Sequence, residues 1–214
     1  MTDAQIAIWR ENQGKRLLQR VGVTAGKVVL DFGCREGNYT LTAAPIVGPT
    51  GRVYALDKRS EVLDELMAVV KRNGYDNVVR VDTSGEMPLP LPDGSVDVAL
   101  IYDVLHLIGW MEESGKTTRR STATDRRGFF RELLRVLRPG GVLSAYCTHL
   151  TTHTDVQTAQ DIAAELKGER FDSRDAFDAD MIHDSQAVVG GVMNFIKPAG
   201  VKAQTGAIRP RVAG

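Results

Sequence analysis

Between about residue 27 and residue 150, short apolar runs of strand length alternate with stretches in which apolar residues return every three or four positions. This rhythm predicts parallel βαβ units. Val28-Val29-Leu30 is a continuous apolar run ending in Asp31, as expected of a strand buried on both faces. The glycines of 33–37 precede a helix through Tyr39, Leu41 and Ala44, stopped near Pro45 and Gly48. Arg52–Leu56 reads as a second strand, closed by Asp57. Ser60 is placed to cap the helix that follows, with Glu61, Asp64 and Glu65 in its first turns. Val62, Leu66, Val69 and Val70 form its apolar face, and Asn73-Gly74 ends it. Asn77–Val81 makes a third strand ending in Asp82, and Val96–Tyr102 a fourth. Phe130, Leu133, Leu134 and Leu137 stripe a helix that halts at Arg138-Pro139-Gly140-Gly141, before a fifth strand at Val142–Cys147.

Three segments break the pattern. Residues 87–95 (MPLPLPDGS) hold three prolines and an Asp-Gly turn signal, which excludes regular structure. Residues 111–128 are polar and aperiodic, and read as a loop or lid over one end of the sheet, its arginines solvated. Residues 155–184 are acid-rich, with one helical pattern around Ile162–Leu166. Val188–Ile196 is a candidate last strand weakened by Gly190-Gly191. The organisation expected is a single domain over 1–196 and a flexible tail over 197–214.

Composition narrows the class. With 43% apolar and 25% charged residues, the 214-residue chain is neither disordered, collagen-like nor disulfide-dense. Its 27 basic and 27 acidic residues cancel, so it lacks the cationic surplus of a dedicated nucleic-acid binder. No apolar run nears the roughly 20 residues of a membrane span, and the first residues lack the apolar core of a signal peptide. Cys34 and Cys147 stand far apart without a CxxC partner, as free thiols do in a reducing compartment. The expectation is a cytoplasmic protein.

The chemistry lies at the strand ends. Parallel open sheets bind ligands beyond the carboxyl ends of their strands. Here these ends carry Asp31, Asp57, Asp82 and Tyr102-Asp103. The loop Asp31-Phe32-Gly33-Cys34-Arg35-Glu36-Gly37 supplies glycine where backbone must turn beside a ligand, and Asp57 follows at the spacing of a ribose-binding acid. That combination suits any nucleoside cofactor. A pyrophosphate would require G-x-G-x-x-G and disfavour nearby acids. This loop is G-x-x-x-G with Glu36 inside it, so the acids point to a cationic ligand.

These pieces resemble the class I S-adenosylmethionine-dependent methyltransferases over roughly residues 25–148. The likeness is carried by VLDFGCREGNYT (29–40), VYALD (53–57), Asp82, PDGSVDVALIYDVLHLI (92–108) and RELLRVLRPGGVL (131–143). It looks closest to the quinone-biosynthesis-like branch of small methyltransferases. The resemblance implies an α/β, doubly wound, mostly parallel Rossmann-like sheet of order 3-2-1-4-5, completed at its C-terminal edge by an antiparallel hairpin of which one strand is visible. It implies S-adenosyl-L-methionine as cofactor. Asp31 and the backbone of Gly33 and Cys34 would hold the methionyl part, with Gly37 letting a helix start close by. Asp57 would grip the ribose, Lys58 would lie beside the adenine, Asp82 and Thr83 would meet its edge, and Tyr102 and Asp103 would face the methyl group. Arg35 stands where the family has its middle glycine.

An acceptor lies within reach of Asp103 and His106 after the fourth strand and of Tyr146 and His149 after the fifth, and the residues do not choose among them. Asp103 and His106 are the first candidates for the chemistry. Asp103 also reads as a helix cap and His106 as a core residue. Cys147, His149 and His153, with distant His183, invite a zinc reading, but their spacing is no recognised ligand pattern, and no metal is expected. The partner expected is a small-molecule acceptor, with a protein side chain as the other option; no nucleic acid is expected. Two alternatives remain open: a non-catalytic cofactor-binding or partner module, and a nucleotide-dependent oxidoreductase, which the loop chemistry disfavours.

Overall fold

A computed structural model describes residues 1–200, apart from Glu86, Trp110, Ser114, Gly115 and Gln157. Its strands are β1 (Val28–Phe32), β2 (Arg52–Asp57), β3 (Val78–Asp82), β4 (Val96–Tyr102), β5 (Met111–Glu113), β6 (Lys116–Arg119), β7 (Leu137–Tyr146), β8 (Asp172–His183) and β9 (Gln186–Ile196). Its α-helices are α1 (Asp3–Trp9), α2 (Lys15–Val21), α3 (Asn38–Val47), α4 (Ser60–Arg72), α5 (Ala123–Val136), α6 (Leu150–His153) and α7 (Ala159–Gly168). All strands but β5 and β6 form one sheet of order β3-β2-β1-β4-β7-β9-β8. The first five in that order are parallel, while β9 and β8 run antiparallel. The expected 3-2-1-4-5 order is the one observed, β7 being the fifth core strand.

Alternate residues of the central strands feed two separate cores, which is why their sequences read as unbroken apolar runs. Val29, Val98 and Leu100 pack with Leu18, Leu41, Leu63 and Leu66, beneath α2, α3 and α4. Leu30, Ala99 and Ile101 pack with Phe129, Phe130, Leu133 and Ile162 on the other face, beneath α5 and α7. The chain winds outward from β1 to β3, then returns to lay β4 against the opposite side of β1. The crevice opens at this reversal, between β1 and β4.

The C-terminal edge departs most from expectation. The acid-rich segment before residue 184 forms β8, a 12-residue strand paired along its length with β9. Its alternation was hidden because as an edge strand it is largely exposed and buries little besides Met181 and Ile182. The turn joining the two strands is Asp184-Ser185, both at positive φ (45° and 58°), as a two-residue hairpin turn demands. Gly190 does not weaken β9. A Cβ there would run into the Tyr146 ring, so glycine admits a close aromatic approach.

Other differences are local. Strand β7 starts five residues before the expected fifth strand, because Leu137 already pairs with Val96 of β4 and Gly140 and Gly141 pair through their backbones with Lys197. Lys197 is itself buried and donates through Nζ to the Leu137 carbonyl at 2.6 Å, whereas 201–214 of the expected tail lie outside the described residues. Pro45 lies inside the last turn of α3, and Arg59 rather than Ser60 occupies the cap of α4. Residues 111–128 are not aperiodic. They hold the β5–β6 hairpin and the start of α5, announced by a reciprocal Thr122–Asp125 capping box.

Arg126 is fully buried rather than solvated. It makes a bidentate pair with Glu165 at 2.6 and 2.8 Å and a 2.6 Å bond to Asp155, tying α5 to α7. Helices α1 and α2 are joined through a π-helical turn at Arg10–Gly14, where the Trp9 ring covers Gly14. The Trp9 indole donates to the Asp180 carbonyl at 3.0 Å, docking the N-terminal helices on β8. No described helix is long and apolar enough to cross a membrane.

Candidate active site

Because β1, β2 and β3 are parallel and in register, Asp31, Asp57 and Asp82 emerge along the same end of the sheet, with Asp57 directly opposite Asp82. Beyond the strand ends opens a cavity of about 370 Å³, within the usual range for small-ligand sites. One side is formed by Gly33, Asp57, Lys58, Arg59 and Thr83; the other by Asp103, His106 and His149; Val104, Leu107 and Ile108 supply apolar wall. A smaller adjoining hollow is bordered by Asp31, Cys34, Tyr39 and Tyr102, and shares Gly33, Arg35, Asp103 and Asp184 with the first.

The glycine loop is held by β2. Gly33 and Cys34 both donate to the Leu56 carbonyl, at 2.8 and 3.0 Å, and the Arg35 amide donates to Asp57 Oδ2 at 3.0 Å. Asp57 takes a second backbone amide, that of Arg59, on its other oxygen at 3.0 Å. The Arg59 guanidinium also approaches Oδ1, at 3.4 Å, so the carboxylate is fixed at the cavity floor with its spare acceptor capacity mainly on Oδ2. Asp31 is buried and accepts from Thr40 Oγ1 at 2.6 Å. Burial pushes its pKa up to about 6, against the lowering effect of the Thr40 bonds. A cationic group arriving at Asp31 would relieve this penalty.

Gly33 (φ 75°) and Gly37 (φ 77°) adopt left-handed conformations, and a Cβ at Gly37 would enter Leu66 of α4. Gly37 therefore sets the close packing of α3 on α4 and starts α3, without lining either hollow. Cys34 is a buried thiol whose pKa burial raises, which fits packing rather than reactivity. Tyr102 is buried, with its hydroxyl on Ser144 Oγ at 2.8 Å. Asp82 stands apart from the cavity: it is exposed and ion-paired with Arg80 at 2.7 Å. Thr83, the next residue, does line it.

Arg35 adopts φ 47°, so the missing family glycine leaves a backbone strain of about 1–3 kcal/mol. Its guanidinium turns to Asp184 Oδ1 at 2.6 Å, with Glu36 at 3.8 Å, and is neutralised there. Asp103 (φ 52°) and His149 (φ 53°) carry the same strain on the cavity's other side. Such left-handed non-glycine residues persist where surrounding structure holds them, commonly at functional sites.

All four histidines of the chain converge here. The His106 ring lies 5.3 Å from that of His149 and 5.4 Å from that of His153, and His149 lies 5.3 Å from His183. His183 Nδ1 is 2.7 Å from Asp103 Oδ2, and His106 Nδ1 is 3.6 Å from Asp103 Oδ1. Burial raises the pKa of Asp103. Burial and the neighbouring imidazoles lower that of His106 to about 4, leaving it neutral at physiological pH. Among the described residues, the group able to hold a metal is Asp103, His149 and His183, without Cys147 or His153. Burial pushes the Cys147 thiol up to about 12.

Sequence reasoning named Asp103, His106 and His149 and set His183 only as a distant fourth in the zinc reading, since it sits on β8, the strand the sequence hid. Arg59 and Asp184 were also missed. Each directly follows a singled-out residue or strand, and that adjacency was the available signal.

The cradle fits the nucleoside cofactor the sequence suggested: glycine backbone at Gly33, two buried carboxylates, and a cavity shared with potential acceptor groups. Comparison with known proteins agrees. Residues 30–145 match the family model described as a methyltransferase domain. The chain is 31% identical over 134 residues to a demethylmenaquinone methyltransferase of Geobacillus stearothermophilus, covering 63% of this chain and 49% of that protein. It is 32% identical over 146 residues to a ubiquinone/menaquinone biosynthesis C-methyltransferase of Hahella chejuensis, covering 68% and 52%. The chain thus spans about half the length of these curated relatives. A solved SAM-dependent methyltransferase from Aquifex aeolicus shares the fold, with TM-score 0.67 and 19% identity over 92% of this chain and 98% of that one. Matched over more than half its length, with its strand order and glycine cradle in place, the chain belongs to the methyltransferase domain family.

Proposed function

We propose that the chain binds S-adenosyl-L-methionine in the β1–β4 crevice and transfers its methyl group to a small-molecule acceptor held on the histidine side of the same cavity. The observation that carries this reading is one continuous cavity with Gly33 and Asp57 at one end and Asp103 and His106 at the other. Asp57 receives the ribose on the acceptor capacity that its two backbone amides and the Arg59 guanidinium leave open, mainly at Oδ2. Lys58 and Thr83 border the adenine, and Asp31 with the Gly33–Cys34 backbone holds the charged methionyl end. Asp82, outside the cavity, acts by anchoring Arg80 beside α4. Val104, Leu107 and Ile108 favour an acceptor with an apolar body.

When bound, the cofactor supplies a methyl group on a sulfonium, open to in-line displacement. A bond forms between the acceptor's nucleophilic atom and the methyl carbon as the carbon–sulfur bond breaks, its electrons staying on the departing thioether. The protein contributes mainly by holding the two molecules at attack distance, a contribution of up to about 7–11 kcal/mol in favourable cases. Tyr102 and Asp103 border the transferring group. Asp103 and His106 are placed to take the proton the acceptor gives up. The demethylmenaquinone methyltransferase relative makes a demethylmenaquinone-like hydroquinone the first acceptor to try.

Calorimetric titration tests the cofactor reading. S-adenosylhomocysteine is expected to bind at micromolar concentration, and Asp57→Ala to abolish binding while the fold is retained. NAD binding without thioether binding would overturn it. Transfer of labelled methyl to a hydroquinone or cell-extract acceptor then tests catalysis; thioether binding with no transfer to any fraction would favour a non-catalytic binding module.

A further inference from the structure

We infer that Asp103, His149 and His183 form a binding site for a divalent metal ion of the zinc class, at the acceptor end of the cavity. One ligand atom from each of the three lies within 4.8 Å of the other two. The facing Nε2 atoms of His149 and His183 are 3.3 Å apart. Two nitrogens bound to one tetrahedral zinc at about 2.0–2.1 Å stand at about that separation.

His183 bridges the cluster: its Nδ1 lies 2.7 Å from Asp103 Oδ2, and its Nε2 lies 3.3 Å from His149 Nε2 and 3.4 Å from Asp184 Oδ2. Two histidines and one carboxylate are also the donor set of open catalytic sites, in which the remaining positions are left to water or substrate.

Two further observations point to a ligand. His106 is buried, yet its Nδ1 has no hydrogen-bond partner, and neither has Asp103 Oδ1, which it faces at 3.6 Å. Buried polar atoms left unpaired at one spot call for something to bind there. Asp103 and His149 are moreover both held at positive φ, each turning its side chain into this corner from the end of a different strand.

Asp103 and His149 line the large cavity, so the open positions of the ion face the acceptor. The chemical class such an ion selects is a molecule with an ionisable hydroxyl, bound through its oxygen. Coordination would make that hydroxyl give up its proton more readily. This role toward the acceptor rests on the methyl-transfer reading, whereas the presence of the site does not.

The test uses the full chain with any affinity tag removed, freed of metal by a chelator and titrated with Co²⁺, then with Zn²⁺ in competition. The expected result is one ion per chain, visible ligand-field absorption from Co²⁺, and its displacement by Zn²⁺. His149→Ala, His183→Ala and Asp103→Asn should each weaken binding by about 10-fold to 100-fold or more, with circular dichroism confirming the fold. His153→Ala should leave it nearly unchanged. Absence of Co²⁺ absorption in the parent protein, or equal binding in all four variants, would overturn the site and leave the cluster as a proton-transfer group. Calorimetry of S-adenosylhomocysteine with the metal-free protein reports separately on the cofactor reading.

Discussion

His183 Nδ1 and Asp103 Oδ2 lie 2.7 Å apart, joining the tip of the β8–β9 hairpin to the residue that follows β4. Eighty residues of chain separate them. The contact makes the antiparallel edge of the sheet part of the site, because the last residue of β8 closes a cavity whose opposite wall is the glycine loop. The same tip is held by Tyr39 of α3, whose hydroxyl donates to the Ile182 carbonyl and accepts from the Ile182 amide, each at 3.2 Å.

That support is testable through Tyr39→Phe. Removing the hydroxyl leaves two buried backbone groups of Ile182 unpaired, at an expected cost of about 1–3 kcal/mol. Amide exchange at Ile182 and His183 should accelerate more than exchange in β1 or β4. Uniform acceleration across the sheet would show that the bond stabilises the whole fold rather than positioning the hairpin.

Asp31 gives a pH dependence with a definite sign. Its pKa of about 6 in the free protein lies above the ordinary 3.8, so the native state holds this proton more tightly than the unfolded chain does. Its contribution to stability is greatest below pH 3.8 and is lost as pH rises to about 6. Binding of a ligand ammonium favours the carboxylate and should release a proton. Affinity for S-adenosylhomocysteine should therefore fall below pH 6, by at most about tenfold per pH unit. Calorimetry in buffers of different ionisation enthalpy measures that proton; an unchanged heat across buffers at pH 5.5 would contradict the assignment.

Arg126 should matter more to folding than to binding. Replacing it with Ala strands the carboxylates of Glu165 and Asp155 between α5 and α7. Breaking a buried pair this way costs about 3–5 kcal/mol, somewhat less here because Asp155 is half exposed. Urea denaturation should show a lower midpoint, while cofactor affinity in the surviving native protein stays within about twofold of the parent.

Gly37→Ala adds a Cβ both at positive φ and against Leu66, and is expected to cost about 2–4 kcal/mol. In a Leu66→Ala background the steric part disappears and the increment should drop to about 1 kcal/mol. A double-mutant cycle by denaturation would read the difference as coupling between the two residues. Strict additivity would mean that backbone conformation alone accounts for the glycine.

Much of the fold was legible because the central strands and their helices are buried on defined faces. The runs around Leu30 and Ala99 suited doubly buried strands, and the α4 stripe of Val62, Leu66, Val69 and Val70 needed one apolar face; the structure buries Leu66 and Val70 there with Leu63, and leaves Val62 and Val69 half-buried. The strand-end acids and glycine loop could be located for the same reason: parallel strands deliver their carboxyl ends to one side. Edge and surface elements carried no such constraint. Strand β8 buries two residues near its end, and the start of α5 places a buried arginine where polarity suggested solvent.

By itself, then, the chain's pattern determined the parallel core, the position of the crevice and the acids at its mouth, since local burial periodicity and turn chemistry act over neighbouring residues. What only the tertiary structure decided was the company these residues keep. His106, the His149–His153 pair that brackets α6, and His183 come from three separate segments, and Asp103 meets His183 because an antiparallel hairpin folds back along β7. Distances between residues so far apart in the chain are set by strand pairing and packing, and no local pattern encodes them.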